Sequence, residues 1–210
     1  MTGIIHYEKD AILTILQNTD NDYLKGIRNI RENNNALLEW TVINDHNDIL
    51  EILHTRYGIT KNDILSVKSD TQKNYLFVYV INNKRYQTLI IFGETYDLGA
   101  DVARSATADG TINYALRTAV KTNDLIRLRI LKRIYNLTTD DAKTIGTDGQ
   151  PNFPLEYACQ AGYTDIVRYL HTEFKLTTTD ARKKTGNTTI LEIVAEDGHH
   201  EILRILHDLY

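Results

Sequence analysis

Residues 153–183 run FPLEYACQAGYTDIVRYLHTEFKLTTTDARK. Leu155, Ala158 and Cys159 stand at i, i+3 and i+4, the apolar face of a helix of about two turns. A polar break at Gly162–Tyr163 separates them from Ile166, Val167 and Leu170, a second face of the same kind. Asp165 opens that second segment, where a carboxylate suits the positive helix end and can cap its free N–H groups. Thr177 and Asp180 then form a Thr-x-x-acid start signal, which predicts a third, very short helical turn. The stretch therefore reads as two short helices and a connector, too small to bury an apolar face alone.

The same pattern returns elsewhere in the chain. At an offset of 39 residues Leu116, Ala119, Leu131 and Leu137 fall on Leu155, Ala158, Leu170 and Leu176, and Thr138–Asp141 falls on Thr177–Asp180. Another step back brings in Phe77, Phe92 and Leu98, and one more reaches Leu38, Leu53 and Ile59, with Thr60–Asp63 as the start signal. Forward, a step of 36 carries Leu155 to Leu191 and Leu170 to Leu206. The units predicted are 35–70, 71–110, 111–149, 150–186 and 187–210, preceded by a degenerate unit at 1–34. That first unit holds Asn18, Asp20, Asn21, Asp22 and Asn33 to Asn35, polar enough to serve as an end cap.

One segment looks different when taken alone. Asn74–Phe92 is rich in β-branched and aromatic residues around Asn82–Asn83, a hairpin pattern. Its register with both neighbours predicts helix, turn, helix instead, because flanking units supply the apolar surface that decides the state.

Composition narrows the function. Of 210 residues 42% are hydrophobic, and the formal charge is −4, with neither half strongly cationic, which argues against a general nucleic-acid or membrane-surface role. The longest apolar run, Tyr75–Ile81, is far short of the ~18 residues of a membrane span. The single cysteine excludes an internal disulfide and a multi-cysteine zinc site. Residues 1–18 do not read as a secretory signal, so a cytoplasmic location is expected.

Pro154, Leu155, Ala158 and Gly162, with Leu191, Gly198, His199, Ile202 and Leu206 in the last unit, resemble the ankyrin repeat, whose Thr-Pro-Leu-His-x-Ala core precedes a Gly-His turn. Phe153 and Glu156 replace the usual Thr and His. The period exceeds the usual ~33, the excess lying in the LTTDDAK connector, a long-period form similar to ankyrin proteins of giant DNA viruses of amoebae. The resemblance implies an all-α helix-turn-helix solenoid, here with short helical connectors in place of the usual β-hairpin finger. It also implies a non-enzymatic protein-binding role on a concave face, with no cofactor or metal and, for the viral form, a host partner.

Carried over column by column, the recognition positions are Ile43 and Asn44, Asn82 and Asn83, Lys121 and Thr122, Gln160 and Ala161, and Glu196 and Asp197. They vary while the leucine columns do not, as a tuned surface or a drifting one would. Trp40, Tyr79 and Tyr157 share a column beside the leucines and read as packing between units. Arg127, Arg129, Lys132 and Arg133, with Arg117 and Lys121 nearby, read as a solvated basic face, or as a patch for an anionic partner. His54, His171 and His207 occupy one column near helix ends and suit the negative end of the dipole, and no metal is expected. Cys159 reads as a buried, inert thiol, and no catalytic constellation is visible. Ile202, Leu203, Leu206 and Leu209 leave the last unit apolar, so self-association through the C-terminal repeat is the alternative reading.

Overall fold

A computed structural model describes residues 8–17, 32–67, 74–105, 112–143, 153–182, 184–185 and 188–207. After a first helix α1 (Lys9–Gln17), five helix pairs follow: α2 (Glu32–Ile43) with α3 (Asn47–Tyr57), α5 (Tyr75–Asn82) with α6 (Tyr86–Glu94), α8 (Tyr114–Lys121) with α9 (Leu125–Arg133), α11 (Phe153–Gln160) with α12 (Thr164–Phe174), and α14 (Ile190–Glu196) with α15 (His200–His207). Short connector helices α4 (Lys61–Ser66), α7 (Ala100–Arg104), α10 (Thr139–Ala142) and α13 (Thr178–Ala181) separate the pairs. Each first helix packs on the next first helix, and each second helix on the next second helix. The result is a two-layer all-α solenoid.

The leucine columns explain the stack. Leu38, Phe77, Leu116 and Leu155 are buried, as are Leu53, Phe92, Leu131, Leu170 and Leu206. No pair can hide these residues by itself, so each unit's core is completed by its neighbour. The Asn74–Phe92 segment forms α5 and α6, because Leu76, Phe77, Val80 and Ile81 find apolar partners in the layers on either side. Trp40, Tyr79 and Tyr157 pack half-buried against this core.

Turn geometry repeats as strictly. Every described residue with positive φ falls in one of three columns: at the start of the first helix (Asn35, Asn74, Asn113), between the helices (Asp45, Lys84, Asn123, Gly162, Gly198), and after the second helix (Gly58, Asp97, Asn136, Lys175). Lys84 is the odd member of its column, a long side chain at φ +55 where the last two units place glycine. The left-handed conformation costs an L residue about 1–2 kcal/mol, offset by the extra freedom glycine brings to the unfolded chain. Lys84→Gly is therefore expected to stabilise by about 0.5–1 kcal/mol and to raise the melting temperature by about 2 °C, as thermal unfolding followed by circular dichroism will show.

Two features depart from the sequence reading. The last connector carries α13 and also a small hairpin, Lys184–Thr185 (β1) pairing antiparallel with Thr188–Thr189 (β2). Its Thr-Gly-Asn-Thr sequence holds a two-residue turn signal. At the C-terminal end, Ile202, Ile205 and Leu206 of α15 are turned into the core, and Leu203 is half-buried. Asn18, Asp20, Asn21, Asp22 and Leu209 lie outside the described residues.

Candidate functional site

The connector is built first by local hydrogen bonds. At α4 the Thr60 amide and hydroxyl both donate to Asp63 Oδ2, at 2.8 and 3.0 Å. Thr138 does the same to Asp141, at 2.6 and 3.0 Å, and Thr177 to Asp180, at 2.8 and 3.1 Å. These are the short helical turns that the Thr-x-x-acid spacing predicts. Thr189 with Glu192 adds a fourth at the start of α14.

Two of these carboxylates, Asp141 and Asp180, also lock one unit to the previous one. Arg104 grips Asp141 with two bonds, Nε–Oδ1 2.6 Å and Nη2–Oδ2 2.9 Å, and Lys143 meets Asp180 at 3.1 Å. Lys143 is the counterpart of Arg104 one unit on; one unit back stands Leu65, and there the acid position holds Val102. In these three successive pairs base and acid are present together or absent together. Burial pushes the Asp141 carboxyl upward, but the bonds from Arg104 and Thr138 overcome it and hold its pKa below 3.8. Asp180 behaves alike, burial being outweighed by Thr177 and Lys143. Carboxyls that bind protons more weakly folded than unfolded add stability above the unfolded pKa, and that stability is lost as pH falls through the folded values. The unfolding free energy should therefore drop on acidification below about pH 4. Asp141→Asn should flatten that drop in urea titrations repeated across the acid range.

Asparagine performs a third repeated task, one the sequence reading missed. Asn35 Nδ2 reaches the Asp63 carbonyl (3.3 Å) and Ser66 Oγ (2.8 Å), Asn74 Nδ2 reaches Ser105 Oγ (2.7 Å), and Asn113 Nδ2 reaches the Asp141 carbonyl (3.4 Å). Each ties the start of a first helix to the end of its unit's connector. The signal was present as Asn at a spacing of 39 residues, three before the leucine column.

On this frame sit the ten predicted recognition residues. Asn44, Asn82, Asn83, Lys121, Thr122, Gln160, Ala161, Glu196 and Asp197 are exposed and Ile43 is partly so, at successive first-helix ends. The two members of a pair differ in task. Asn44, Asn83 and Thr122 turn back to donate to the carbonyl four residues earlier, at about 2.8 Å each, and so help to end their own helices. The first members reach forward: Asn82 accepts from the Tyr114 hydroxyl at 2.7 Å, and Lys121 Nζ lies 5.4 Å from the Phe153 ring centroid. Tyr114 and Phe153 are themselves one column, so the contact repeats with different chemistry. The Ile43 and Gln160 carbonyls accept from Arg85 (3.4 Å) and His199 (3.1 Å) of the following turns.

The basic group resolves into separate tasks. Arg117 lies buried 4.0 Å over Phe153, and Lys132 Nζ donates to the Leu137 carbonyl at 2.9 Å, 4.8 Å over Phe174. Lys132 stands in the histidine column, where His54 Nδ1 meets the Ile59 carbonyl (2.9 Å) and His171 Nδ1 that of Leu176 (2.7 Å). These side chains close the second-helix end by hydrogen bond, and Lys132 adds its charge. Arg127 is not solvated: it is 1% exposed, in the column of Ile49, Thr88, Ile166 and Ile202. Its guanidinium meets Asp124 at 3.1 Å. Asp124 caps α9 by accepting from the Arg127 amide (3.0 Å) and also accepts from the Tyr86 hydroxyl (2.7 Å). By contrast, the second-helix acids Asp48 and Asp165 lie inside the first turn, and the N-cap residues His46 and Tyr163 make no side-chain cap bond. Asp48 still accepts from a first-turn amide, that of Ile49 at 3.0 Å, and pairs with Lys9 at 2.9 Å.

Cys159 is fully buried, and burial, then Glu156, pushes its pKa up to about 12, so it is no nucleophile at neutral pH. Among the described residues no group of three His, Cys, Asp or Glu side chains is placed to hold a metal ion, and no helix is long and apolar enough to cross a membrane.

No family model matches the chain, and no curated protein matches it. Among solved structures, the crystal structure of EF0377, an ankyrin repeat protein, is similar over 98% of this chain and 100% of its own, at 18% sequence identity and a TM-score of 0.55. That likeness shows the fold: a helical solenoid of ankyrin type.

Proposed function

We propose that this chain is a non-enzymatic protein-binding scaffold whose partner lies along the concave face made by the first-helix ends and the connectors. One observation carries this reading. The helix-end positions from Asn44 to Asp197 are exposed and chemically varied, while the leucine columns are buried at every position except the half-buried Leu191. A scaffold that keeps its geometry and changes its surface side chains is suited to partner selection. The ankyrin fold generally serves protein–protein interaction, which agrees with it. The long connectors support the viral form of the resemblance, with a host protein as partner. Self-association through α15 has less behind it, since Ile202, Ile205 and Leu206 face inward.

The test is affinity capture from a host-cell lysate, comparing the intact chain with Lys121→Ala/Gln160→Ala/Glu196→Ala. Loss of captured proteins by a variant with unchanged circular dichroism is the expected result. An unchanged set would remove the concave face as the site.

A further inference from the structure

The second-helix layer carries a groove unrelated to the helix-end face. It has a volume of about 370 Å³ and runs between α9 and α12. Arg129 and Arg133, one turn apart on α9, line one wall together with Leu125. Tyr169 lies against the opposite wall, with the Arg129 guanidinium carbon 6.0 Å from its ring centroid. Both arginines are exposed, and neither forms an ion pair with another described residue. Arg168 on α12 also lines the groove but is engaged with Glu201 at 3.1 Å.

The position of Arg129 matters along the whole stack. Its counterparts on the following second helices are Arg168 and Arg204, both exposed, whereas the preceding units place Glu51 and Ile90 there. At this position positive charge is thus confined to the C-terminal half of the stack. Beside it on α9, three residues before Arg129, stands Ile126, 56% exposed, one of two large hydrophobic side chains so exposed among the described residues. An arginine pair, a partly covered phenol and an exposed aliphatic side chain lie within one short surface.

We propose that this groove docks an acidic segment of a partner protein, its carboxylates on Arg129 and Arg133 and an aromatic side chain against Tyr169 and Leu125. Guanidinium groups suit carboxylates through paired N–H donors, and they stack on aromatic rings without losing those donors. Charge complementarity to a uniform polyanion is worse: Asp165 and Glu173 line the same groove and repel successive phosphates. An acidic peptide can space its charges to avoid them, so the mixed lining favours a protein segment over a nucleic acid.

Fluorescence anisotropy with a fluorescein-labelled peptide of glutamates around a central tryptophan tests this, with a single-stranded oligothymidylate as competitor probe. Saturable peptide binding is expected, weakened at least tenfold by Arg129→Glu/Arg133→Glu and several-fold by serine in place of the tryptophan. Lys9→Glu, a charge reversal on α1, should leave it unchanged. Both arginines are exposed, so the double variant should keep its circular dichroism and melting temperature. No binding, equal binding by the double variant, or tighter binding of the oligothymidylate would each overturn the proposal. The helix-end residues are untouched by these changes, so the outcome is independent of the concave-face reading.

Discussion

Arg127→Ala is expected to lower the unfolding free energy by about 3–5 kcal/mol, the cost of breaking a buried ion pair from one side. Arg127 is the largest fully buried side chain among the described residues, and its removal leaves a cavity as well as an uncompensated Asp124 carboxylate. The arginine itself is held at a cost. Burial pushes its pKa down against the pull of Asp124 and of the Tyr86 and Tyr114 phenols, and its Nε and Nη1 atoms have no hydrogen-bond acceptor. The counterpart residues Ile49, Ile166 and Ile202 show what the position accepts without charge. Asp124→Asn/Arg127→Ile, which removes both charges and keeps the volume, should therefore lose much less than Arg127→Ala. Urea denaturation of the three proteins separates the cases. Equal losses in the single and double variants would mean that packing alone, and not the charge pair, sets the cost.

The second large effect lies at Gly93. Its column holds His54, Lys132 and His171, so a repeat consensus would place a large polar residue there. In this unit the space belongs to the next one: a Cβ on Gly93 would collide with Ile134 Cγ2 and stand 3.4 Å from the Tyr135 ring. Neither neighbour can withdraw freely. Ile134 is β-branched and stiff about its first torsion. Tyr135 is fully buried, with its hydroxyl donating to the Leu89 carbonyl at 2.8 Å. Tyr96 donates in the same way to Leu50, at 2.7 Å, so this bolt between second helices is a repeated part of the stack. Gly93→Ala should cost about 1–3 kcal/mol by overpacking, and Gly93→His more. A histidine variant as stable as the parent in thermal denaturation would show that α6 and the Tyr135 segment are not in contact.

Much of this architecture is legible in the sequence. The leucine columns give the two layers, because a 39-residue repetition of buried positions leaves stacking as the way to hide them. Thr60–Asp63, Thr138–Asp141 and Thr177–Asp180 announced the connector helices, since a threonine and an acid three apart satisfy the first-turn N–H groups on their own. Asn74–Phe92 was decided by register where local propensity pointed to strands. Other features were harder to read. Arg127 read as solvated because charge normally means surface, although its column of isoleucines held the contrary signal. Asn44, Asn83 and Thr122 read as recognition residues, yet part of their task is to end helices, which no spacing distinguishes from exposure to a partner. Gly93 became intelligible once Ile134 was seen to occupy the place of its missing side chain. The groove between α9 and α12 was hidden for the same reason: it needs the basic residues to be divided among packing, capping and exposure.

The central claim is the equivalent, evenly stepped placement of units, and distances between spin labels test it most directly. Labels on cysteines introduced in pairs at Asn44, Asn83, Thr122, Ala161 and Asp197 occupy one exposed column, while the buried native Cys159 stays unreactive. Adjacent labels should lie about 8–10 Å apart, the spacing of packed helices, and the separation from Asn44 should lengthen with each further unit. A label two or three units away that sits closer to Asn44 than its neighbour at Asn83 would contradict the stacked arrangement.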